Sequence, residues 1–445
     1  MDRKVYIETY GCQMNVADSE TVSTIMQTKD FVPVITIDNA DVVILNTCSV
    51  RDNAEQKIWN RLDFLKGLKR RKKHLKVGII GCMAQRIADK LLEHEAVDFV
   101  AGPDAYRNLP DLVNETDIEL KTINTEFDIS ETYSGITQYK SDDEAISGFI
   151  PITRGCNNFC SYCIVPYTRG RERSSSYQDI IAEVDNLKQK GYKEVTLLGQ
   201  NVNSYYFEDE YRKVDFPTLI KMVAETVPDM RIRFTTSHPK DISDELIEAI
   251  AEYKNICNHI HLPVQSGSNN VLQLMNRKYT REWYLERIEK IKTTIPNCGL
   301  SSDIFCGFSG ESEDDFNQTL SLMNTVEYDS AFMFKYSVRP GTAAAKKLDD
   351  DVSEVTKIDR LNQMISLQNK ISLRKNNVEI GKVFEVLVEG FSKRSKDSLF
   401  GRTQQSKVVV FPSETAKRGD FVFVKIFDAS SATLKGNIVK SNNNE

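Results

Sequence analysis

A strand pattern followed by a helix pattern recurs six times between Gly148 and Asn377. The strand segments are GFIPITRG, KEVTLLGQ, RIRFTTS, NHIHLPVQ, LSSDIFCGF and DSAFMFKYSV. The helices are expected from about Ser176, Phe216, Ser243, Arg281, Ser312 and Val355. Such a repeat builds parallel sheet, because a helix supplies the crossover that parallel neighbours require. Six units predict a partial β/α barrel with its chemistry at the carboxyl ends of the strands. The first strand runs into Cys156, Cys160 and Cys163, a Cys-x3-Cys-x2-Cys spacing. Structural zinc takes four protein ligands, and iron–sulfur clusters are usually held by four cysteines. Three thiols in one loop therefore point to a cluster with one iron left open. Incidental core cysteines are the bland alternative, but those are usually scattered singly.

Upstream, RKVYIETYG, ADVVILNTCSV, KVGIIGCMA and VDFVAG read as strands of an α/β domain with a parallel sheet. Helices are expected from about Ser19 and through Lys90 to His94. Cys12, Cys48 and Cys82 end the first three strands, so the topology predicts that they meet at one sheet edge. That edge offers a second set of three ligands; unrelated buried cysteines are the alternative. Cys257, Cys298 and Cys306 lie outside these patterns and read as core thiols. The reading divides the chain into an amino-terminal domain (1–113), a polar linker with room for an edge strand (114–141), the barrel (142–377) and a last domain (378–441). That last domain alternates short strands with Gly and Asp turns, the pattern of a small antiparallel OB-like β-barrel of about five strands.

The formal net charge of −6 argues against non-specific polyanion binding by the whole surface. Two regions depart from it. KGLKRRKKHLK (Lys66 to Lys76) has seven Lys or Arg in eleven residues, and Val378 to Lys440 has eleven basic against seven acidic residues. Either could meet RNA, although a charge run alone is as often a solvated helix end. No apolar run is long enough to span a bilayer. The start has no signal-peptide layout, so a cytoplasmic location is expected. Nine cysteines there read as ligands or core residues rather than disulfides.

RGCNNFCSYCIVPYTRGRERS, with Tyr162 before its last cysteine, resembles the radical S-adenosylmethionine (radical SAM) superfamily. YGCQMNVADSE, NTCSVRDNAEQKIWNRL, GCMAQR, LLGQNVNSY, FTTSHP, HLPVQSGSNNVLQLMNRKYTRE and DIFCGFSGESEDDF extend the likeness over nearly the whole chain. By these motifs it is identified as a member of the methylthiotransferases, with a final segment similar to a TRAM domain. The resemblance implies two [4Fe–4S] clusters, one on Cys156, Cys160 and Cys163 and an auxiliary one on Cys12, Cys48 and Cys82. It implies SAM as cofactor and methylthiolation at carbon 2 of an isopentenylated adenosine beside the tRNA anticodon. That C–H is neither acidic nor electrophilic, which is why radical chemistry is needed. Gln13, Met14 and Asn15 favour this branch over the sister enzymes acting on threonylcarbamoyladenosine or on a ribosomal-protein aspartate.

An electron donor of flavodoxin or ferredoxin type and no membrane are the further partner expectations; the sequence leaves the oligomeric state open, with a monomer as the expectation. Gln200, Asn201, Ser237 and Gln265, at strand ends with His238 and Ser266, are candidates for holding SAM, although a structural hydrogen bond is the commoner fate of each. Arg169, Arg171 and Arg173 are candidates for SAM carboxylate or RNA phosphate. Lys393, Arg394, Lys396 and Arg402 are candidates for phosphate contacts, while Phe391 and Phe400 read as core rather than base-stacking rings. Ser309 stands where relatives usually have proline, and no ligand is lost there.

Overall fold

The computed structural model describes residues 3–49, 52–117, 121–136, 145–393, 395–413 and 416–440. Its first sheet is parallel throughout, in the order β2-β1-β3-β4-β5-β6. The strands are β1 (Arg3–Thr9), β2 (Phe31–Pro33), β3 (Val42–Thr47), β4 (Lys76–Gly81), β5 (Phe99–Ala101) and β6 (Thr122–Asn124). Every residue of β3 is buried, as its near-unbroken apolar run requires for a central strand covered on both faces. Val22, Ile25 and Met26 of helix Gln13–Gln27 pack on one face with Leu109 and Leu112. Ile58, Leu62 and Leu65 of helix Asp52–Arg71 pack on the other with Met83 and Leu91.

Two edge strands, β2 and β6, join the four read from the sequence, and β6 comes from the segment read as linker. Helix Gln13–Gln27 also starts six residues before Ser19. Cys12 occupies its N-cap position without any side-chain cap bond, so the usual Ser, Thr or Asp start signal is missing.

The barrel staves are β7 (Ser147–Pro151), β10 (Glu194–Leu198), β13 (Arg231–Thr235), β14 (His259–His261), β15 (Gly299–Cys306) and β16 (Ser330–Lys335). They form two parallel triplets, β13-β10-β7 and β14-β15-β16, joined by a bridge between Ile232 and Ile256. Between the staves lie two hairpins absent from the sequence reading: β8 (Thr153–Arg154) with β9 (Arg173–Ser174), and β11 (Tyr206–Glu208) with β12 (Lys213–Asp215). The six outer helices are Tyr177–Gln189, Phe216–Thr226, Asp244–Glu252, Arg281–Thr294, Glu313–Val326 and Glu354–Asn377. Ser176, Asp215, Ser243, Thr280, Ser312 and Ser353 cap them, each accepting a backbone N–H from the first turn. Such a cap stabilises a helix by about 1 kcal/mol, and it fixes the starts where the sequence signals them. Among the described residues, no helix is long and apolar enough to cross a membrane.

The last domain is a closed barrel of β17 (Val383–Ser392), β18 (Ser395–Arg402), β19 (Val408–Pro412), β20 (Phe421–Ala429) and β21 (Leu434–Val439). It is not wholly antiparallel, since β19 and β21 pair in parallel to close it. Val386, Val388, Leu399, Val409, Phe411, Val424, Ile426 and Leu434 fill it. Phe391 does not belong to that core. Register shifts of β17 against β18 at Val388/Gly390 and Phe391/Ser392 break the inward alternation, and Phe391 is 63% exposed. Phe400 is half-buried. Arg231 and Arg233 of β13 tie this barrel to the large one, donating to the carbonyls of Arg402, Thr403 and Gln404 at 2.7–3.0 Å.

Candidate metal centres

The structure folds the carboxyl edge of the first sheet against the mouth of the barrel. Met14 and Ala17 of helix Gln13–Gln27 pack on Leu198 and Phe149 of the staves. Arg154, in β8, donates to Asp18 Oδ1 at 2.8 Å, and Arg169 donates to Asp18 Oδ2 at 2.7 Å. Asp18 is fully buried. Burial alone would raise its carboxyl, but the two guanidinium groups outweigh that and hold it below the usual carboxylate range. Tyr133, from the segment read as linker, lies under Arg154 with its ring centroid 4.5 Å from the guanidinium carbon. Arg173 grips Asp104 through two nitrogens, both at 2.8 Å. Arg169 and Arg173 thus serve as ties between the domains, not as the surface phosphate or SAM contacts expected. Arg171 instead lies over the Phe159 ring.

Cys12, Cys48 and Cys82 occupy this edge as the topology predicts. Cys12 caps one helix and Cys82 is the first residue of another, helix Cys82–Leu92. Neither helix has a side-chain cap bond, and the Asn15 and Val16 amides donate to the Cys12 carbonyl at 3.0 and 3.3 Å. The Cys12 thiol donates to Asn15 Oδ1 at 3.3 Å, and Asn15 Nδ2 donates to Asn46 Oδ1 at 2.9 Å and to the Thr47 carbonyl at 3.1 Å. This chain of amides fixes the turn at Cys12 beside the end of β3. Gly11 lets the two approach: its φ is +143°, and a Cβ there would meet the Cys48 Cβ at 2.8 Å. Cys82 Sγ accepts from Arg169 Nε at 3.2 Å, a contact that joins this edge to the loop beyond Cys163.

In the barrel loop, Gly155 turns with φ +77°, and a Cβ there would lie 2.1 Å from the Arg171 carbonyl. The Gly155 N–H donates to Gln200 Oε1 at 2.6 Å. Asn158 N–H donates to Cys156 Sγ at 3.5 Å, and Cys163 N–H to the Cys160 carbonyl at 3.0 Å. Ser161 ties the loop to the Leu274 and Met275 carbonyls at 2.7 and 2.9 Å. Arg277 Nη1 donates to Cys160 Sγ at 3.3 Å, a contact that no sequence reading anticipated. Tyr162 sets its ring edge-on to Phe305, with centroids 5.2 Å apart.

Burial pushes the Cys156 thiol up to about 11 and also raises Cys82 and Cys163. Thiols in such surroundings give up their protons when a bound cation takes the charge. Soft thiolate donors with no carboxylate among them suit iron–sulfur chemistry, so the two donor sets fit the clusters that the sequence implies. Among the described residues, no three His, Cys, Asp or Glu side chains close on a point that would grip one metal ion.

The SAM candidates divide. Gln200 is engaged by Gly155. Asn201 donates to Asp241 Oδ2 at 2.7 Å and accepts from the His238 N–H at 3.1 Å. Ser266 accepts from the Ser268 N–H at 3.2 Å and lies 3.3 Å from Thr319 Oγ1. Ser237 Oγ, His238 Nε2 and Gln265 Oε1 are buried without a hydrogen-bond partner among the described residues. Desolvation and the nearby Arg277 and Lys240 charges push His238 down to about 2, so its ring is neutral.

Ser309 is buried, and Cys257 and Cys306 are core thiols, while Cys298 is half-buried against the core. In the basic run Lys66–Lys76, Lys69 pairs with Asp98 at 2.6 Å and Lys66 with Glu95 at 2.8 Å. Those two charges are engaged within the fold. Arg402 pairs with Glu389, Lys393 and Lys396 are exposed, and Arg394 lies outside the described residues.

The fold and these thiol-bearing strand ends define a radical SAM protein with an added α/β domain and a small carboxy-terminal barrel. Residues 150–323 match the radical SAM superfamily, 4–102 the uncharacterized protein family UPF0004 and 377–439 the TRAM domain. The chain is 60% identical over 436 residues to the tRNA-2-methylthio-N(6)-dimethylallyladenosine synthase of Phocaeicola vulgatus, covering 98% of this chain and 96% of that protein. It is 56% identical over 447 residues to the protein of the same name from Porphyromonas gingivalis, covering 100% and 96%. The chain belongs to the tRNA-2-methylthio-N(6)-dimethylallyladenosine synthase family, among the radical SAM methylthiotransferases. Among solved structures, the radical SAM methyltransferase TsrM from Kitasatospora setae shares the fold, with TM-score 0.58 and 12% identity over 78% of this chain and 77% of that one. The radical SAM enzyme OxsB also shares it, with TM-score 0.51 and 12% identity over 82% and 56%.

Proposed function

We propose that the chain methylthiolates carbon 2 of isopentenyladenosine next to the tRNA anticodon, using SAM and two [4Fe–4S] clusters. The observation that supports this is the docking of the amino-terminal sheet edge on the barrel loop, where Arg169 reaches both Cys82 and Asp18. The family relationship supports the tRNA substrate over the sister substrates. Cys156, Cys160 and Cys163 would hold one cluster, and Cys12, Cys48 and Cys82 the other. Bound there, the first cluster supplies the electron that splits SAM into a radical, and the auxiliary cluster supplies a site for sulfur.

The chain's own groups bind and orient. Ser237 and Gln265, with unpartnered buried oxygens, are offered as SAM contacts, as is the neutral His238 ring. Gln200 and Asn201 act through the backbone they hold, at Gly155 and His238. Asp18, Arg154, Arg169, Arg173 and Asp104 keep the two domains in one register. A cavity of about 870 Å³ follows the seam between β7, β16 and the small barrel. Gln13, beside Cys12, lines it, as do Phe149, Phe332 and Met333, while Arg402, Lys407 and Arg418 line its small-barrel side. Glu389 pairs with Arg402 and Asp329 with Lys407 at 3.1 Å along the same lining, so it is the apolar side of the seam that suits a prenylated base.

The reading keeps the division into 1–113, 114–141, 142–377 and 378–441. It takes a flavodoxin- or ferredoxin-type protein as electron donor, a single chain as the working unit and the cytoplasm as its location. The test is product analysis of anticodon stem-loop RNA carrying isopentenyladenosine, incubated with reduced protein and SAM. A 2-methylthio product is expected. SAM cleavage with no modified base on any tRNA would sink the proposal.

A further inference from the structure

Each set of three thiols receives a hydrogen bond from one buried guanidinium group. Arg277 donates to Cys160 Sγ at 3.3 Å, to the Pro263 carbonyl at 2.8 Å and to the Tyr279 hydroxyl at 3.0 Å. None of these three acceptors is a carboxylate, and Arg277 is 8% exposed. Arg169 makes the matching contact to Cys82, and its Nη2 lies 2.7 Å from Asp18, a fully buried carboxylate that Arg154 also grips at 2.8 Å. A buried cation without a counter-ion is costly until an anion arrives. At Arg277 the thiolate centre that includes Cys160 can supply that anion.

Reduction of an iron–sulfur centre adds one negative charge, and net charge and hydrogen bonds to the sulfurs set its potential. We propose that Arg277 is a positioning residue that raises the reduction potential of the centre on Cys156, Cys160 and Cys163. The inference rests on the reading that each triad holds a cluster. The step is a one-electron reduction by a low-potential soluble donor. No bond forms or breaks, and the guanidinium keeps its protons.

The test is a redox titration of reconstituted full-length protein, with dithionite as reductant, mediators present and paramagnetic resonance as readout. Iron and sulfide are measured on the same samples. Arg277→Gln removes the charge, whereas Arg277→Lys keeps it. With iron retained, R277Q is expected to lower the reduced-to-oxidised ratio of the barrel centre at least tenfold at a fixed potential, about 59 mV for a one-electron couple. R277K should stay within threefold of the parent. An unchanged ratio in R277Q, or equal shifts in R277Q and R277K, overturns the proposal. If R277Q loses its barrel iron, R277K decides: a parental ratio supports the proposal and a tenfold shift overturns it. Loss of iron from both variants also overturns it, because Arg277 then serves assembly. A parent protein that keeps all its iron after Cys156, Cys160 and Cys163 are replaced sinks the underlying reading instead.

Discussion

Cys156, Cys160 and Cys163 fall within eight residues of one loop, whereas Cys12, Cys48 and Cys82 span seventy-one residues and come from three strand ends. The first set is gathered by local chain geometry: the turn at Gly155, the Asn158 N–H on Cys156 and the Ser161 anchors. The second set exists only when β1, β3 and β4 pair in register, and its supports are long-range amides such as Asn15 on Asn46. Local unfolding of the first domain would therefore scatter the second set while leaving the first assembled. The surroundings differ too. At the scattered set Arg154 and Arg169 share Asp18, whereas the side-chain hydrogen bonds of Arg277 at the compact set reach no carboxylate.

The cysteine variants separate the two regions with the largest expected effect. Replacing Cys156, Cys160 and Cys163 with alanine is expected to abolish SAM cleavage. Replacing Cys12, Cys48 and Cys82 is expected to leave SAM cleavage and stop methylthiolation, read by chromatography of deoxyadenosine and of tRNA nucleosides. Full product from the second variant would break the distinction between the regions.

Next in size is Asp18→Ala, which leaves Arg154 and Arg169 buried without their carboxylate. Removing one partner of a buried pair costs about 3–5 kcal/mol, so denaturant midpoints should fall steeply and the contact between sheet edge and barrel should loosen. A loss under about 1 kcal/mol would show that this buried contact does not hold the domains.

Acid sharpens the comparison, because both regions carry buried groups with depressed folded values, His238 and His259 in the barrel and Asp18 in the first domain. His238, down at about 2 against an ordinary value near 6.5, stays neutral in the fold while the unfolded chain takes a proton. Its contribution is present above pH ~6.5 and is lost below it by about 1.4 kcal/mol per pH unit. Asp18 contributes above its unfolded value of about 3.9, and that stability is lost as pH falls further, through the folded value. Urea unfolding of the full protein between pH 4 and 6.5 should follow His238 together with His259, which burial pushes down to about 3, and His238→Asn should flatten the slope by one proton of the two. An unaltered slope would remove His238 from the account.

The smallest effect concerns the third domain. Lys393→Ala is expected to lower the salt dependence of tRNA binding by about 0.7–0.9 in log–log slope, one phosphate contact. Arg402→Ala should lower it less, since Glu389 already holds that charge. Equal slopes for both variants would show that the pairing does not matter to RNA.

How far the sequence could be read follows the same divide. The barrel helices are legible because Ser176, Asp215, Ser243, Thr280, Ser312 and Ser353 announce them. Helix Gln13–Gln27 is not, because Cys12 takes the cap position. The scattered thiols are legible because parallel strands bring their carboxyl ends to one edge. Asp18 is not: its partners lie 136 and 151 residues away, and an acidic residue in VADSE reads as surface. The arginines after the cluster loop look like anion binders by composition, and only the fold shows Asp18 and Asp104 waiting for them. Phe391 looks like core until the register shifts of β17 turn it outward.

The central claim is that the two regions each hold a complete centre. The most direct test is the iron and sulfide content of the anaerobically prepared Cys156→Ala, Cys160→Ala, Cys163→Ala triple variant. The account predicts about four irons and four sulfides per chain, a full [4Fe–4S] cluster on the amino-terminal thiols. Near-zero iron in a folded protein would contradict it.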